Sequence, residues 1–386
     1  MEIIYVFMKF PAPSEVFAAN EVKRLINEHG AKVTILSFRG LTESDKELLD
    51  EFGLSSIEII TPAGMLSFYE VIVVLKQFLL LLFWGISRNL FWHKKCFLDI
   101  YIALIASVLK VKSRLITPDV VHCFWGHRPA WFLQCIRDKN AKKTLFLGAY
   151  DLFQKLPISR YVGRSVADLV YTHSKVGVDE LCKFGISREK IRLVYRGVDI
   201  DKFKPYISER VGFDDKKGFV SAGRLIPQKG FFDLARFFSN NCFQSELIIY
   251  GDGAEKRPID RYLKAKGTTS VQLCGRISQV ELFQRFVAAR FFVFNSSKTG
   301  EILPNVVKEA MLAGCVVICK RIPAIDELLE DGITGFIIDD MEEIRRIADL
   351  PQNQIARIGA NARLRIMRDF DSKDTMATYL DCWSRL

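Results

Sequence analysis

The sequence predicts an α/β protein built from two doubly wound domains in tandem. Short runs of β-branched and aromatic residues alternate with amphipathic helical patterns along most of the 386 residues. Such alternation is typical of parallel sheets that are covered by helices on both faces. The chain is also longer than one hydrophobic core usually supports, and residues 197–218 form a polar, irregular stretch. We therefore predict domains at residues 1–204 and 205–365, with a helical segment, 366–386, that packs back onto the first.

Thirteen strands are predicted, each a short run rich in Val, Ile, Leu and aromatic residues that ends at a polar or glycine-containing turn. The helices between them are capped by Ser or Gly, as in residues 14–30 and 279–290. The strands of the first half cover residues 2–7, 31–38, 56–61, 119–125, 142–147, 168–173 and 190–195. Those of the second half cover residues 218–223, 245–251, 270–275, 291–296, 315–320 and 334–339. Ligands of such sheets bind at the carboxyl ends of the strands.

The positive charge of the chain is concentrated in its first half. Residues 1–205 carry 29 Lys and Arg against 21 Asp and Glu, whereas residues 206–386 carry 26 against 24. A basic half suits a membrane surface, a polyphosphate or a nucleic acid, although an excess of solvated lysine gives the same count. Nucleic acid is disfavoured because the sequence holds no aromatic-basic platform and no recognition-helix motif. With 49% hydrophobic and 26% charged residues, the composition excludes a disordered chain.

The cysteines and the N-terminus indicate a reducing compartment. None of the nine cysteines forms a C-x-x-C pair, and Cys315 and Cys319 flank an apolar strand rather than a metal site. The opening "MEIIYVFMKFPAPSE" lacks the basic start and the long apolar core of a signal peptide. We expect a cytoplasmic protein.

Residues 71–95 form an unusually apolar segment. Lys76 and Gln77 interrupt it, and the uncharged run from Gln77 to Ser87 is shorter than a membrane-spanning helix requires. Aromatic residues lie beside basic ones near its end, which is typical of a helix in a membrane interface. Three interpretations stay open, namely an interfacial helix, a plain buried helix and a membrane span. With the basic first half, this segment predicts peripheral association with a membrane surface.

The first candidate site follows the strand at 218–223. Gly223 ends that strand, and Arg224 and Lys229 occupy the turn that leads into a helix beginning near Gly230. Two cations beside a helix N-terminus suit a diphosphate, because Arg supplies a fork, Lys a point charge, and the backbone N–H groups further donors. A solvated basic loop is the alternative.

The second candidate site is the stretch "SKTGEILPNVVKEAMLAG", residues 297–314. Pro304 suits the first turn of a helix, because its missing N–H costs nothing there. Asn305 and Glu309 then share one face of that helix, while Glu301 stands in the loop before it. Carboxylates accept paired hydrogen bonds from vicinal hydroxyls, and free N–H groups at a helix start hold phosphate oxygens. The stretch predicts a site for a sugar and a diphosphate, although glutamates near a helix start also occur on plain surfaces.

Together these motifs resemble the large retaining family four (group 1) of GT-B glycosyltransferases. "EILPNVVKE" resembles its paired-glutamate signature, "GRLIPQKG" its phosphate loop, and "VQLCGRIS" the segment that cups the nucleobase. "FPAPSEVFAANEVKRL" resembles the opening of the bacterial branch that builds surface polysaccharides. The resemblance covers nearly the whole chain and is strongest over residues 190–340.

The resemblance implies a GT-B fold, two Rossmann-like domains with an interdomain cleft, and a role for each motif. Arg224 and Lys229 would bind the donor diphosphate, Glu301 would face the donor sugar, and Glu309 would meet the ribose hydroxyls. The donor side would be completed by Gly223, Arg276, Ile277, Leu303, Pro304, Asn305 and Val306. It also implies a UDP- or GDP-sugar as co-substrate and no cofactor or metal, because two positive side chains take the role of the ion. Retention would follow from same-face attack, which requires no protein base.

The first domain departs from the family pattern at one position. The sugar side would hold Ser14, Glu15, His122 and Asp151, but Gly148 stands where an H-G-x-D histidine is expected. His122 or the nearby His127 could substitute for it, and a buried strand histidine is the alternative for His122.

Two functions from different classes follow. The leading hypothesis is a retaining hexosyltransferase that moves a sugar from a nucleotide-sugar to a lipid-linked or oligosaccharide acceptor, in bacterial surface polysaccharide synthesis at the inner face of the plasma membrane. The alternative, motivated by Gly148, is a catalytically impaired sugar-nucleotide-binding partner or regulatory protein.

Overall fold

The computed structural model divides the chain into two compact units. It describes residues 1–12, 15–91, 96–154, 157–207, 216–241, 243–296 and 301–386, without the side chains of residues 150, 153 and 154. The first unit comprises residues 1–194 and 376–386, and the second comprises residues 195–375. Each unit holds one parallel sheet of the Rossmann type, which confirms the predicted fold class.

The sheet of the first unit has seven strands in the order β3-β2-β1-β4-β5-β6-β7. They are β1 Glu2–Phe7, β2 Lys32–Ser37, β3 Glu58–Ile60, β4 Val120–Cys123, β5 Lys142–Phe146, β6 Leu169–Thr172 and β7 Ile191–Leu193. The helices are α1 Val16–Asn27, α2 Glu43–Phe52, α3 Phe68–Ser87, α4 Cys96–Lys112, α5 Ala130–Leu133, α6 Ala149–Gln154, α7 Pro157–Ser165 and α8 Lys175–Lys183. The strand order reverses its direction between β1 and β4.

The sheet of the second unit has six strands in the order β10-β9-β8-β11-β12-β13. They are β8 Lys217–Ala222, β9 Leu247–Tyr250, β10 Val271–Gly275, β11 Ala289–Phe294, β12 Val316–Lys320 and β13 Phe336–Ile338. The helices are α9 Ile200–Phe203, α10 Phe231–Asn240, α11 Lys256–Lys266, α12 Gln279–Ala288, α13 Asn305–Leu312, α14 Glu343–Ala348, α15 Gln352–Asp369 and α16 Ser372–Ser384, whose last residues belong to the first unit. Each of the thirteen predicted strands overlaps one of these strands.

The predicted domain boundary at 204/205 falls inside the second unit, which begins at Tyr195. Backbone hydrogen bonds account for the difference. The N–H of Val198 donates to Phe370 at 2.8 Å, and the N–H of Ser372 donates to the carbonyl of Val198 at 3.0 Å. The segments in which the chain enters and leaves the second unit therefore pair with each other, because each satisfies backbone hydrogen-bonding groups of the other.

The C-terminal helix completes the core of the first unit. Met376, Tyr379 and Trp383 are buried among the side chains of β1, β4 and β6. The ring of Trp383 lies 6.3 Å from that of Tyr5, edge-on, and its carbonyl accepts a hydrogen bond from Lys142 at 2.8 Å. These three residues recur at helical spacing of three and four, so they lie on a single face of α16.

Helix α3 carries the described part of the apolar segment predicted at 71–95; residues 92–95 lie outside the described residues. Ser67 caps it through a reciprocal arrangement with Glu70. Within the described residues, it alone is long and apolar enough to cross a membrane by length and composition, and 17% of its 18-residue apolar window is buried.

Replacing Trp383 by Ala is expected to destabilise the first unit by roughly 3–5 kcal/mol, because the change leaves a cavity among large aromatic side chains. Urea unfolding of the full chain, followed by circular dichroism, measures the effect. Leu386→Ala is the control, since Leu386 lies beyond α16 and is exposed. Equal unfolding midpoints for the two variants would show that α16 is not part of the core.

Candidate functional site

The predicted donor residues follow β8 and β11, the neighbouring strands at which the strand order of the second sheet reverses its direction. β8 and β11 pair in parallel, and the later strands on either side run outward from them. Residues 223–230 follow β8, and residues 295–296 and 301–304 follow β11. In doubly wound sheets the ligand crevice lies outside the carboxyl ends of the strands at such a switch point.

The two loops are held together by Asn295. Its side-chain amide donates to the carbonyl of Gly230 at 2.9 Å, and the hydroxyl of Ser296 donates to the carbonyl of Gln228 at 3.2 Å. Gly230 has a φ of +66°, and a Cβ there would lie 2.5 Å from the carbonyl oxygen of Asn295. Only glycine satisfies both the backbone conformation and the close approach. The turn before α10 is therefore pinned to the end of β11.

Gly223 is pinned in the same way to the neighbouring strand β9. Its N–H donates to the carbonyl of Tyr250 at 3.0 Å. A Cβ on Gly251 would lie 1.9 Å from the carbonyl oxygen of Gly223, so residue 251 can carry no side chain. The backbone of the predicted phosphate loop thus starts from a fixed point.

The predicted cation of the phosphate loop contacts the predicted sugar-side carboxylate. Lys229 forms an ion pair with Glu301, although 72 residues separate them in the chain. Their side chains are 15% and 21% exposed, and the ammonium lies 5.5 Å from the centre of the Phe294 ring. Arg224 is exposed at the start of the same loop. The structure therefore brings Lys229 and Glu301 together and leaves Arg224 exposed to solvent at the start of the loop.

Helix α13 begins at Asn305, one residue after the predicted start. Pro304 precedes it in an extended conformation, and its fixed φ suits this position. Leu303 and Pro304 are buried, whereas Asn305 and Val306 are half-buried. The first turn of α13 therefore keeps part of its surface accessible next to Glu301.

Glu309 lies on α13 one turn after Asn305 and is buried. It accepts a hydrogen bond from Gln279 at 2.7 Å, and Lys202 donates to the same amide at 2.6 Å. Burial raises the pKa of Glu309 to about 7, against the effect of the Gln279 hydrogen bond. Gln279 begins α12 directly after the loop that holds Arg276, which is exposed, and Ile277, which is half-buried. The predicted ribose and base residues are thus linked through Gln279.

Three residues near the site were not predicted from the sequence, namely Gln279, Lys202 and Lys308. The ammonium of Lys308 is fully buried and donates to the carbonyl of Arg196 at 2.7 Å and to the side chain of Asn305 at 3.0 Å. Burial and the nearby Arg196 lower the pKa of Lys308 to about 7. Helical periodicity offered no signal for Lys308, because a lysine is expected on the exposed side of a helix.

In the first unit, His122 takes the alternative position that the sequence left open, that of a buried strand histidine. The side chain is fully buried in β4, and its Nδ1 lies 2.8 Å from the hydroxyl of Thr144. No part of the ring reaches the surface of the first unit. Its ring packs among those of Tyr5, Phe124, Tyr171, Tyr379 and Trp383.

Gly148 stands in place of the expected histidine for a steric reason. A Cβ at this position would lie 2.5 Å from the indole of Trp125, so no side chain fits while that ring is present. The buried carboxylate of Asp151 accepts the N–H of Gly148 at 2.9 Å. Its other oxygen lies 3.3 Å from Nδ1 of His127, whose side chain is 15% exposed. The carboxylate therefore connects the backbone at position 148 with a partly accessible imidazole.

Of the two remaining sugar-side residues, Glu15 is half-buried and precedes α1 at the carboxyl end of β1. Ser14 lies outside the described residues. Glu15 follows β1 and His127 follows β4, the two strands at which the first sheet reverses its direction. Within the ranges that the structure describes, no three His, Cys, Asp or Glu side chains are grouped as a metal site requires.

The raised pKa of Glu309 predicts a pH-dependent loss of stability. Below the ordinary value of 4.5 the carboxyl is protonated in both states. Between 4.5 and about 7 the folded protein retains a proton that the unfolded chain releases, so stability falls as pH rises through this window. Glu309→Gln is therefore expected to unfold with a free energy higher than wild type by on the order of 1–3 kcal/mol at pH ~8, with little difference near pH ~4.

Urea unfolding at both pH values checks this expectation. Glu330→Gln is the control, because Glu330 is exposed in the same unit. A Glu309→Gln variant that is less stable than wild type at the higher pH would show that the ionised carboxylate stabilises the fold.

Sequence comparison finds a family match within the second unit. Residues 204–365 match the family model for glycosyl transferases group 1. Spore coat protein SA of Bacillus subtilis is 25% identical over 281 residues, which span 65% of this chain and 71% of that protein. A Campylobacter jejuni N-acetylgalactosamine-N,N'-diacetylbacillosaminyl-diphospho-undecaprenol 4-alpha-N-acetylgalactosaminyltransferase is 27% identical over 176 residues, 45% of this chain and 47% of its own length. Across four such relatives, the match spans 38% to 71% of the relative's length.

Structural comparison extends the likeness to both units. The structure of Anabaena Alr3699/HepE in complex with UDP and glucose superposes with a TM-score of 0.72 over all of both chains, at 17% identity. At this identity the likeness establishes the fold, which is that of GT-B glycosyltransferases. Residues 204–365 thus resemble the group 1 glycosyl transferases, and the relatives include a putative teichuronic acid biosynthesis glycosyltransferase of Bacillus subtilis.

Proposed function

We propose that the protein is a retaining, metal-independent hexosyltransferase that uses a UDP- or GDP-sugar. The contact between Lys229 and Glu301 carries this proposal. It joins a cation suited to a diphosphate with a carboxylate suited to sugar hydroxyls, at the switch point of a Rossmann-type sheet. A ligand that takes both side chains needs a phosphate and a sugar within a few ångströms of each other, as in a nucleotide-sugar.

In the proposed reaction, the bond between the anomeric carbon and the phosphate oxygen breaks, and the nucleoside diphosphate leaves with the electron pair. The acceptor hydroxyl oxygen bonds to the anomeric carbon on the same face, and its proton passes to a phosphate oxygen of the leaving group. Lys229 and Arg224 stabilise the developing phosphate charge, Glu301 orients the sugar, and Glu309 receives the ribose hydroxyls in place of Gln279. Because fixed cations stabilise the leaving group, the step requires no metal ion.

For the acceptor, we propose a lipid-linked or oligosaccharide intermediate of a bacterial surface polysaccharide such as O-antigen, capsule or exopolysaccharide. The Campylobacter relative acts on a diphospho-undecaprenol acceptor, and a Bacillus subtilis relative is a putative teichuronic acid biosynthesis glycosyltransferase. The basic first half agrees with a cytoplasmic enzyme that is peripherally bound to the inner face of the plasma membrane.

A catalytically impaired sugar-nucleotide-binding protein is the second candidate. Trp125 occupies the space where a side chain at position 148 would begin, so the histidine expected there is sterically excluded. Donor binding without turnover, on membrane extracts that contain the native acceptor, would favour this function.

Lys229→Ala and Glu301→Gln are each expected to lower kcat by about 10²–10³-fold, because each removes an interaction that strengthens in the transition state. Release of nucleoside diphosphate from a panel of UDP- and GDP-sugars measures this. Lys264→Ala is the control, since Lys264 forms an exposed ion pair with Asp260 on α11. Variants that keep wild-type turnover would remove these residues from the proposed mechanism.

His127→Ala is expected to raise KM for the sugar substrate or lower kcat by about ten-fold, with a thermal midpoint close to that of wild type. The imidazole is partly exposed and is oriented by Asp151, so it is our candidate for the sugar-side hydrogen bond. His29→Ala is the matched control, because His29 is an exposed histidine of the same unit. Unchanged kinetics in the His127→Ala variant would show that His127 does not bind the sugar substrate.

A further inference from the structure

One face of α3 is apolar and exposed along the whole helix. Its residues follow one another at spacings of three or four, which places them on one side of the helix. Phe97, Leu98 and Tyr101 extend the surface onto the first turns of α4 and are also exposed. The α3 residues, each 49% to 84% exposed, are Phe68, Ile72, Leu75, Leu79, Phe83 and Ile86. We call these nine side chains the apolar face. A contiguous exposed surface of this kind usually marks an interaction site.

The opposite side of α3 is committed to the first unit. Val74, Leu81 and Gly85 are buried there, and a Cβ on Gly85 would lie 2.4 Å from the ring of Phe91. The ring of Trp84 packs edge-on against that of Trp131 at 5.7 Å. To cross a bilayer, α3 would have to abandon these contacts. They favour a helix that keeps one side on the protein and offers only the other to a partner.

The charges around the apolar face are predominantly positive. In residues 63–91 and 96–114, the part of this region that the structure describes, there are five Lys and Arg against two acidic residues. Both acids are neutralised locally, because Glu70 pairs with Arg114 and Asp99 lies 3.3 Å from Arg128. Lys76 is exposed on α3 next to the apolar residues, so its long side chain can reach outward while its stem stays on the helix.

We propose that the apolar face binds the interface of an anionic bilayer, with α3 lying parallel to the membrane plane in one leaflet. Apolar and aromatic side chains enter the boundary between headgroups and acyl chains, and the basic side chains meet lipid phosphates. A second copy of the chain is a poorer occupant, because it would bring two positively charged rims together. This inference rests on the membrane association in the proposed function and assigns it to the apolar face, but it requires no turnover.

Flotation of the full-length protein with lipid vesicles tests the proposal. Wild type is expected to float with mixed phosphatidylcholine and phosphatidylglycerol vesicles, less so at high salt, and weakly with phosphatidylcholine alone. In the double variant Leu79→Glu with Phe83→Glu, the vesicle-bound fraction is expected to fall at least about ten-fold. Leu364→Glu is the matched control, because Leu364 is an equally exposed leucine on α15 of the second unit.

Any one of four outcomes would overturn the proposal. The first is a wild type that floats with neither vesicle, and the second is a double variant that floats like wild type. The third is a wild-type dimer in sedimentation that the double variant converts to a monomer, which would assign the apolar face to a second copy. Release of bound wild type by alkaline carbonate is expected for an in-plane helix, and resistance, the fourth outcome, would indicate a span. A protein that fails to float but still transfers sugar to a soluble acceptor would contradict this inference and leave the proposed function intact.

Discussion

The donor half of the candidate site depends on the pairing of two loops by Asn295. Its amide holds the carbonyl of Gly230, and the backbone approach is so close that residue 230 can carry no side chain. This contact fixes the turn that carries Lys229 against the end of the strand that leads to Glu301. Without it, two side chains from separate loops would have to be ordered at the expense of conformational entropy. Their ion pair is a consequence of that prior backbone arrangement.

Next to these loops, the burial of ionisable side chains lowers the stability of the same unit. Glu309 and Lys308 are both buried, and burial shifts the pKa of each towards neutrality. An apolar pair would fold more stably, since desolvation of a carboxylate or an ammonium is rarely fully offset. The hydrogen bonds to Gln279 and to the carbonyl of Arg196 reduce that penalty without removing it. A carboxylate kept there at the expense of stability agrees with selection for ligand binding rather than for folding.

In the first unit, the packing of buried side chains determines the environment of a partly exposed one. The indole of Trp125 fills the space at Gly148, and the carboxylate of Asp151 bridges the N–H of Gly148 and the imidazole of His127. His122, only five residues earlier, is enclosed by aromatic rings that include those of the C-terminal helix. Two histidines close in sequence thus have opposite environments, because one lies in the strand and the other beyond its end.

Strand and helix order, the parallel sheets and a helix start at Pro304 could be predicted from the sequence, because periodicity and turn residues are local properties. The positions of Glu301 and Glu309 relative to that helix followed from the same pattern. The meeting of distant groups, such as Lys229 with Glu301 and Gln279 with Glu309, became visible only in the folded chain. The exposure of one side of α3 likewise became visible only there, since an apolar stripe has the same spacing whether or not a partner covers it. Contacts of this kind depend on the packing of a whole unit, and the sequence of a short segment does not specify that packing.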